Sequence, residues 1–592
     1  MPAYRDPLDK RQRYDKLRAA LWSERQSGFD AHWRELAEMF MPRRIRFTSS
    51  DRNRGDKRNQ KIIDSTGRFS ARTLSAGMHA GLTSPARPWM KLTTPDPALA
   101  KHGPVKLWLH DVTMRMLTIF ATSNLYNVLP LVYLDMGIFG TAAMSMVQDS
   151  RDLFRCYSYP IGTFALGQDA RGLATTFVRD YRLTVRQIVE EFGVQANGRD
   201  IDWAPISGTV HDLWDRGDYE EPVDVTWMVK PNESADPHRL EAKHLPWASC
   251  SWETGSSEPK FLRESGFETF PVMAPRWDIT GEDSYGTDCP GMTALGDNNQ
   301  LQIMQRRKGQ LLEKAVNPPL KGPTNLKTQK TSLLPGDITY VDVRDGMQGL
   351  APIHEVRLEG FQHLTADIGE VAYRIQRAFY EDLFLMLARS DDRLGADRPT
   401  AREVEERHEE KLLALGPVLE RTNDELLDPI IDRVYNLMEL NGLVPPPPDI
   451  LHGVKLKTEY ISILAQAQKL VGVVGQDRLL ATTGSIVSAM PEFSPIVRHK
   501  LNMPQMLDNY GEMLGVDPKV IRSTDEAEAA LAQEQHVAQA AQDAEQAATL
   551  AGAAKDASQT PLGGDSLLSR VAQTASQQSV APSGALPAGS VM

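Results

Sequence analysis

His408-Glu409-Glu410 opens like the helical zinc motif H-E-x-x-H, in which two histidines one turn apart hold the metal and the glutamate acts as base. The second histidine is absent, because Leu412 stands in its place. A histidine on a charged helix face is the better reading. Glu403, Glu405, Glu406, Glu409 and Glu410 could suggest a metal-dependent nuclease. Such chemistry needs converging carboxylates, whereas these spread over a wide helical arc beside Arg402, Arg407 and Lys411, so local ion pairs fit better. Cys156, Cys250 and Cys289 lie far apart without a C-x-x-C pair, which excludes a disulfide scaffold and a cysteine zinc site. Neither a G-x-x-x-x-G-K-[ST] phosphate loop nor a G-x-S-x-G elbow occurs. The expectation is a chain without enzymatic activity, cofactor or metal.

Basic residues are the other candidate chemistry. Arg306, Arg307, Lys308 and Lys314 fall on one helical stretch, 292–316. Lys321, Lys327 and Lys330 follow it, and Arg389 and Arg393 fall in the polar, glycine-containing segment 388–399. Such cations hold phosphate without reading base sequence. The chain as a whole carries a net charge of −12. That balance argues against a tight nucleic-acid grip and is compatible with a surround that lets a duplex slide. The basic run 43–61 reads first as a solvated loop.

These residues need elements to position them. The 592 residues, 41% hydrophobic and 24% charged, allow several folded domains. The polar start suggests no signal peptide, and without a run of about 20 apolar residues no membrane span is expected. Residues 8–41 carry Leu17, Leu21, Phe29, Trp33, Leu36 and Phe40 at helical spacing and read as one or two helices. A helix with Phe69, Leu74, Met78 and Leu82 is predicted from Asp64 or Ser65 to Ser84-Pro85, followed by helices over 105–120 and 128–146. Residues 153–277 turn to short alternating segments, a β-rich region, interrupted by a helix over 184–192 that opens on a Thr184/Gln187 capping box. Helices return at 292–316 and 358–384, the second with Phe361, Leu364, Ile368, Val371, Ile375 and Phe379 on one face. The strongest strand between them is 338–343. The longest helix starts at the capping box Thr400-Ala401-Arg402-Glu403 and ends near Asn441-Gly442, with a kink expected at Gly416-Pro417. Residues 449–515 read as mostly helical, 525–550 as an Ala/Gln/Glu-rich helix with little apolar surface, and 551–592 as disordered.

Several stretches agree in order and spacing with a known pattern. They are LSAGMHAGLTSPARPWMKL at 74–92, Phe139-Gly140-Thr141-Ala142-Ala143, Tyr285-Gly286-Thr287 with Pro290-Gly291-Met292 and Leu295, Asn317-Pro318-Pro319-Leu320, Leu334-Pro335-Gly336, and TAREVEERHEEKLLALGPVLERTNDELLDP at 400–429. Together they make the chain resemble the head-to-tail connecting (portal) proteins of short-tailed, podovirus-type bacteriophages. The resemblance implies a mainly helical α+β fold with a β-rich wing, helical stem, small α/β clip and helical crown. By position, 1–290 would be the wing with N-terminal helices, 291–316 and 358–387 the stem helices, and 317–357 the clip between them. Residues 388–399 would be the tunnel loop, 400–445 the long kinked helix, 446–524 the crown, and 525–592 an Ala/Gln-rich helix, a possible barrel, with its tail.

The resemblance also implies a function: a dodecameric ring at the portal vertex of a virion, between head and tail, assembled in the host cytoplasm. Double-stranded DNA would pass through it without sequence specificity during packaging and ejection. The implied partners are further copies of the chain, the terminase motor, a tail adaptor and the major capsid protein, with no membrane. Arg306, Arg307, Lys308, Lys314, Arg389 and Arg393 are then candidate channel residues, with inter-subunit salt bridges the equal alternative for those on the stem helix. Lys321, Lys327 and Lys330 are candidate docking contacts of the clip. The competing reading is a helical scaffold or internal-virion protein without a DNA channel, against which the β-rich region and the helix–module–helix pattern both speak.

Overall fold

The computed structural model describes residues 9–47, 55, 58–193, 200–239, 241–322, 324, 351–352, 359–389, 415–451, 453–461, 482–483, 485 and 524–558. Contacts divide the chain into two units, Met1–Asn502 with Tyr510–Pro518, and Met503–Asn509 with Lys519–Met592.

In the first unit, α1 (Lys10–Gly28) begins where the Asp9 side chain accepts the Lys10 N–H, and α2 (Asp30–Met39) follows a joint at Phe29. α3 (Thr66–Leu82) starts where predicted, but Asp64 rather than Ser65 makes the capping bonds, accepting the Thr66 N–H at 2.8 Å and its hydroxyl at 2.6 Å. Phe69, read as part of the apolar stripe, is 62% exposed. Five residues before Leu74 at 3.6 residues per turn, it falls on the far side of the helix.

After β1 (Met90–Thr93), α4 (Pro97–Lys101) and α5 (Gly103–Thr122) comes the central helix α6 (Leu125–Phe139). The helix predicted over 128–146 therefore stops early. Gly140 takes the left-handed conformation (φ +75°) that closes a helix, and the apolar run continues as strand β2 (Met144–Asp149). Periodicity alone does not separate a buried helix from a buried strand.

The β-rich region is confirmed. β3 (Leu153–Ser158), β4 (Phe164–Gln168), β5 (Ala174–Thr184), α7 (Val185–Phe192), α8 (Gly208–Asp215), β6 (Pro222–Pro231), β7 (Trp247–Glu253), β8 (Arg263–Phe267) and β9 (Val272–Met273) follow in turn. They build an antiparallel five-stranded sheet, β4-β5-β6-β7-β8, and a three-stranded one, β3-β2-β9. α7 opens on the predicted capping box, with both Thr184–Gln187 bonds formed.

α9 (Pro290–Val316) leads to strands β10 (Leu320–Lys321) and β11 (Ala351–Pro352), which pair antiparallel, and then to α10 (Glu359–Ala378), which lies along α9. The single helix predicted over 358–384 is broken at Tyr380 (φ +54°) and resumes as α11 (Glu381–Arg389). Residues 388–389, read as the start of a polar loop, thus belong to a helix, and 390–399 lie outside the described residues.

The chain is helical again from 415, passes through a π-helical segment, Asn423–Leu427, and continues as α12 (Asp428–Leu440), ending ahead of Gly442 (φ +66°). Pro429 has no N–H to give the carbonyl of residue 425, which accounts for the altered hydrogen bonding there. Gly416 and Pro417 lie in helical turns, but the chain before 415, with the Thr400 cap, is outside the described residues. The region read as mostly helical holds a strand, β12 (Lys457–Tyr460), paired antiparallel with β1 and fixed by the stacking of Tyr460 on Trp89. One main core gathers α2, α3, α5, α6, the start of α9 and α12.

In the second unit, α13 (Thr524–Ser558) covers the Ala/Gln/Glu-rich stretch, and its Leu531 and Val537 are exposed.

Candidate functional site

Two of the motifs that carry the resemblance meet in space. Phe139-Gly140-Thr141 closes α6, and Tyr285-Gly286-Thr287 leads into α9. Their glycines touch backbone to backbone: a Cβ on Gly286 would lie 2.1 Å from the Gly140 carbonyl oxygen. The Gly286 N–H donates to Thr141 Oγ1 (2.7 Å), and the Trp277 N–H donates to the Gly140 carbonyl (2.8 Å). Gly291, at the start of α9, is held as closely, since a Cβ there would meet the Ile138 carbonyl oxygen at 2.5 Å. The buried Trp33 indole donates to the Phe139 carbonyl, and the Tyr285 hydroxyl accepts the Leu166 N–H. These motifs therefore form a joint that fixes the direction of α9.

From that joint α9 runs out of the core. Ala294, Leu295, Asn298, Leu301 and Gln302 are buried, whereas Ile303, Leu312 and Val316 (84%) are exposed. α10 gives the matching picture, buried at Ile368, Val371 and Ile375. The two helices form a projecting hairpin whose far end is bridged by β10 and β11.

The structure brings Arg306, Arg307, Lys308 and Lys314 together on that projection. Arg306, Arg307 and Lys314 are exposed and form no ion pair among the described residues. Lys308 turns inward, with Nζ 5.5 Å from the centroid of the Phe361 ring. Lys321 is exposed in β10. Arg389 ends α11 and so lies on a helix rather than on the predicted loop. Arg393, Lys327, Lys330 and the strand predicted at 338–343 lie outside the described residues.

Sequence reasoning missed a set of buried arginines. Arg276 donates to both carboxylate oxygens of Glu425 (2.5–3.3 Å) and to the carbonyls of Asp283 (2.9 Å) and Gly172 (2.7 Å), clamping the π-helical segment to the strand region. Arg25 pairs with Asp30 at 2.9 Å and donates to the Gly162 and Phe164 carbonyls. Arg433 meets neutral acceptors, the Met146 carbonyl and both oxygens of Thr269, and burial pushes it down to about 10. Arg44 belongs to the run read as a solvated loop, yet it binds Asp135 (2.8–3.1 Å) and the Ser158 hydroxyl. Burial still pushes the Asp135 carboxyl up to about 6, outweighing the pull of Arg44. Apart from Arg25–Asp30, five residues apart, these partners are far apart in the chain and no spacing rule links them.

Little of this is reactive chemistry. All three cysteines are buried, and burial pushes the Cys156 and Cys289 thiols up to about 12, away from the thiolate. Among the described residues no group of His, Cys, Asp or Glu could hold a metal. No single described helix is long and apolar enough to cross a membrane. A cleft of about 340 Å³ between α1 and the five-stranded sheet is lined by Arg18, Trp22, Asp180 and Asp224 among others. Its two carboxylates are matched, Asp180 by Arg18 and Asp224 by Arg182.

The chain matches the family described as bacteriophage head to tail connecting protein over residues 11–521. It is 43% identical over 566 residues to the portal protein of Salmonella phage epsilon15, covering 96% of this chain and 98% of that one. It is 41% identical over 510 residues to the probable portal protein of Bordetella phage BPP-1, covering 86% and 88%. Two solved structures, the virion of a native gene transfer agent particle and the neck of an empty one computed with C6 symmetry, are 12% identical. Each match covers 74% of this chain and 91% of the other, with TM-scores of 0.33 and 0.31.

Proposed function

The chain belongs to the bacteriophage head to tail connecting protein family, as a portal subunit of the head–tail junction, and on that premise we propose that identical copies close into a dodecameric ring that conducts double-stranded DNA. The observation that carries this is agreement with the epsilon15 portal protein along nearly the whole of both chains. The subunit's shape supports it. A closed head-to-tail ring needs two different complementary surfaces on each copy, and the projecting hairpin leaves extended helix faces bare.

Residues 291–316 and 358–387 would form the stem and 317–357 the clip, with the wing, 1–290, set against the major capsid protein. Arg306, Arg307 and Lys314, with Arg389 and Arg393 of the tunnel region, would meet phosphates without base readout, and Lys308 would add charge from beneath Phe361. The net charge of −12 on each copy keeps that contact weak enough for sliding. Lys321, Lys327 and Lys330 would receive the terminase motor during filling and a tail adaptor afterwards. The ATPase is assigned to the motor and none to this chain. Assembly would take place in the host cytoplasm, before the ring enters the virion.

Electron microscopy of the purified chain tests the reading. Closed rings with a central hole are expected, and a protein that stays monomeric at every concentration would overturn it.

A further inference from the structure

Two helices of the first unit present outer faces with unmatched charge. On α3, Phe69 stands exposed between Arg68 and Arg72. Neither arginine forms an ion pair among the described residues, and Arg68 Nε is buried without a hydrogen-bond partner. On α12, Asp428, Asp432 and Glu439 continue an acidic row from Asp424, and none of them meets a cation among the described residues. Asp428 accepts the Tyr460 hydroxyl, yet burial, with Asp424 adding to it, still pushes its carboxyl up, and burial together with Asp428 does the same at Asp432. Like charges at this helical spacing destabilise a lone subunit.

The two faces serve different flanks. α3 leans on α6 along Pro130, Tyr133 and Gly137, through the Ser75 hydroxyl on the Pro130 carbonyl (2.5 Å), Thr83 beside the Tyr133 hydroxyl (3.2 Å), and Leu74 over Gly137. The helix leading into α12 meets α6 at Met136, through Thr422. At 3.6 residues per turn these contacts lie about 100° apart around α6. One flank is basic with a bare aromatic ring and the other is acidic, the heterologous pairing that a closing ring requires.

We propose that the outer face of α3 seats on the acidic face of α12 in the adjacent copy, with Arg68 and Arg72 meeting Asp432 and Glu439 and Phe69 covered by the contact. This rests on the ring reading and says where the copies join. It also makes the joint salt-sensitive, because the charges on α3 and α12 are partly exposed.

The test reverses charge on each side of the full chain and counts rings by electron microscopy and native mass spectrometry. R68E/R72E, and separately D432R/E439R, should each lower ring yield at least tenfold. An equimolar mixture of the two should recover rings in which the variants alternate, since each then presents the sign its neighbour needs. Recovery also establishes that both variants fold. Rings from either reversed chain alone would overturn the proposal, as would a mixture of folded variants that stays unassembled. Absence of rings from the unaltered chain would overturn the ring reading instead.

Discussion

Arg276 and Glu425 are 149 residues apart, and their pairing is nearly closed to solvent. Removing one partner of a buried pair leaves the other charge uncompensated. Arg276→Ala is therefore expected to lower the unfolding free energy by about 3–5 kcal/mol, measurable as a shift of the urea midpoint. Lys10→Ala, at the exposed pair with Glu264, should leave that midpoint nearly in place. Asp135 gives a pH dependence of definite sign. Its folded carboxyl, at about 6 against the ordinary 3.8, holds the proton more tightly than the unfolded one. Its contribution therefore favours folding on the acid side and is lost as pH rises through about 6. Asp135→Asn should flatten the part of the stability profile between about pH 4 and 6. At this scale the sequence discloses residue types but not partners. Arg306, Arg307 and Lys314 could be picked out as candidates, whereas the clamps of Arg276, Arg25 and Arg44 depend on tertiary contacts that carry no local pattern.

Elements were legible wherever a local rule decided them. The Thr184/Gln187 capping box follows from residues within one turn. The stop of α6 at Phe139 did not, because apolar residues resume just past the closing Gly140 and carry on into a buried strand. The break at Tyr380 was hidden for a similar reason: Ile375, Phe379 and Leu383 are all buried, so the hydrophobic period runs on while the backbone does not. Where the helix α6 hands over to the path toward α9, the close approach of Gly140 and Gly286 leaves no room for a side chain. Gly286→Ala should cost about 1–3 kcal/mol or more, read as a lower melting temperature, because the obstacle is backbone and cannot swing aside.

At the scale of the whole molecule, family membership was readable from the order of short motifs rather than from any one of them, and the structure gives the reason. The motifs around 139 and 285 build one joint, so their spacing in the chain reflects a single contact. The bare basic face of α9 sets up a clear prediction. R306A with R307A should reduce the DNA packaged by assembled rings while ring yield stays the same. A fall in ring yield would instead assign these residues to salt bridges between subunits. The short strand pair at the tip of the hairpin carries a consequence for exchange between relatives. Leu320 faces Pro352 and Lys321 faces Ala351, so the intervening chain departs and returns at one place. Closing a loop at such a gate costs only about 0.6 kcal/mol more for each doubling of its length. A segment of different size or composition could therefore be spliced in at that gate while the helices beneath it stay undisturbed.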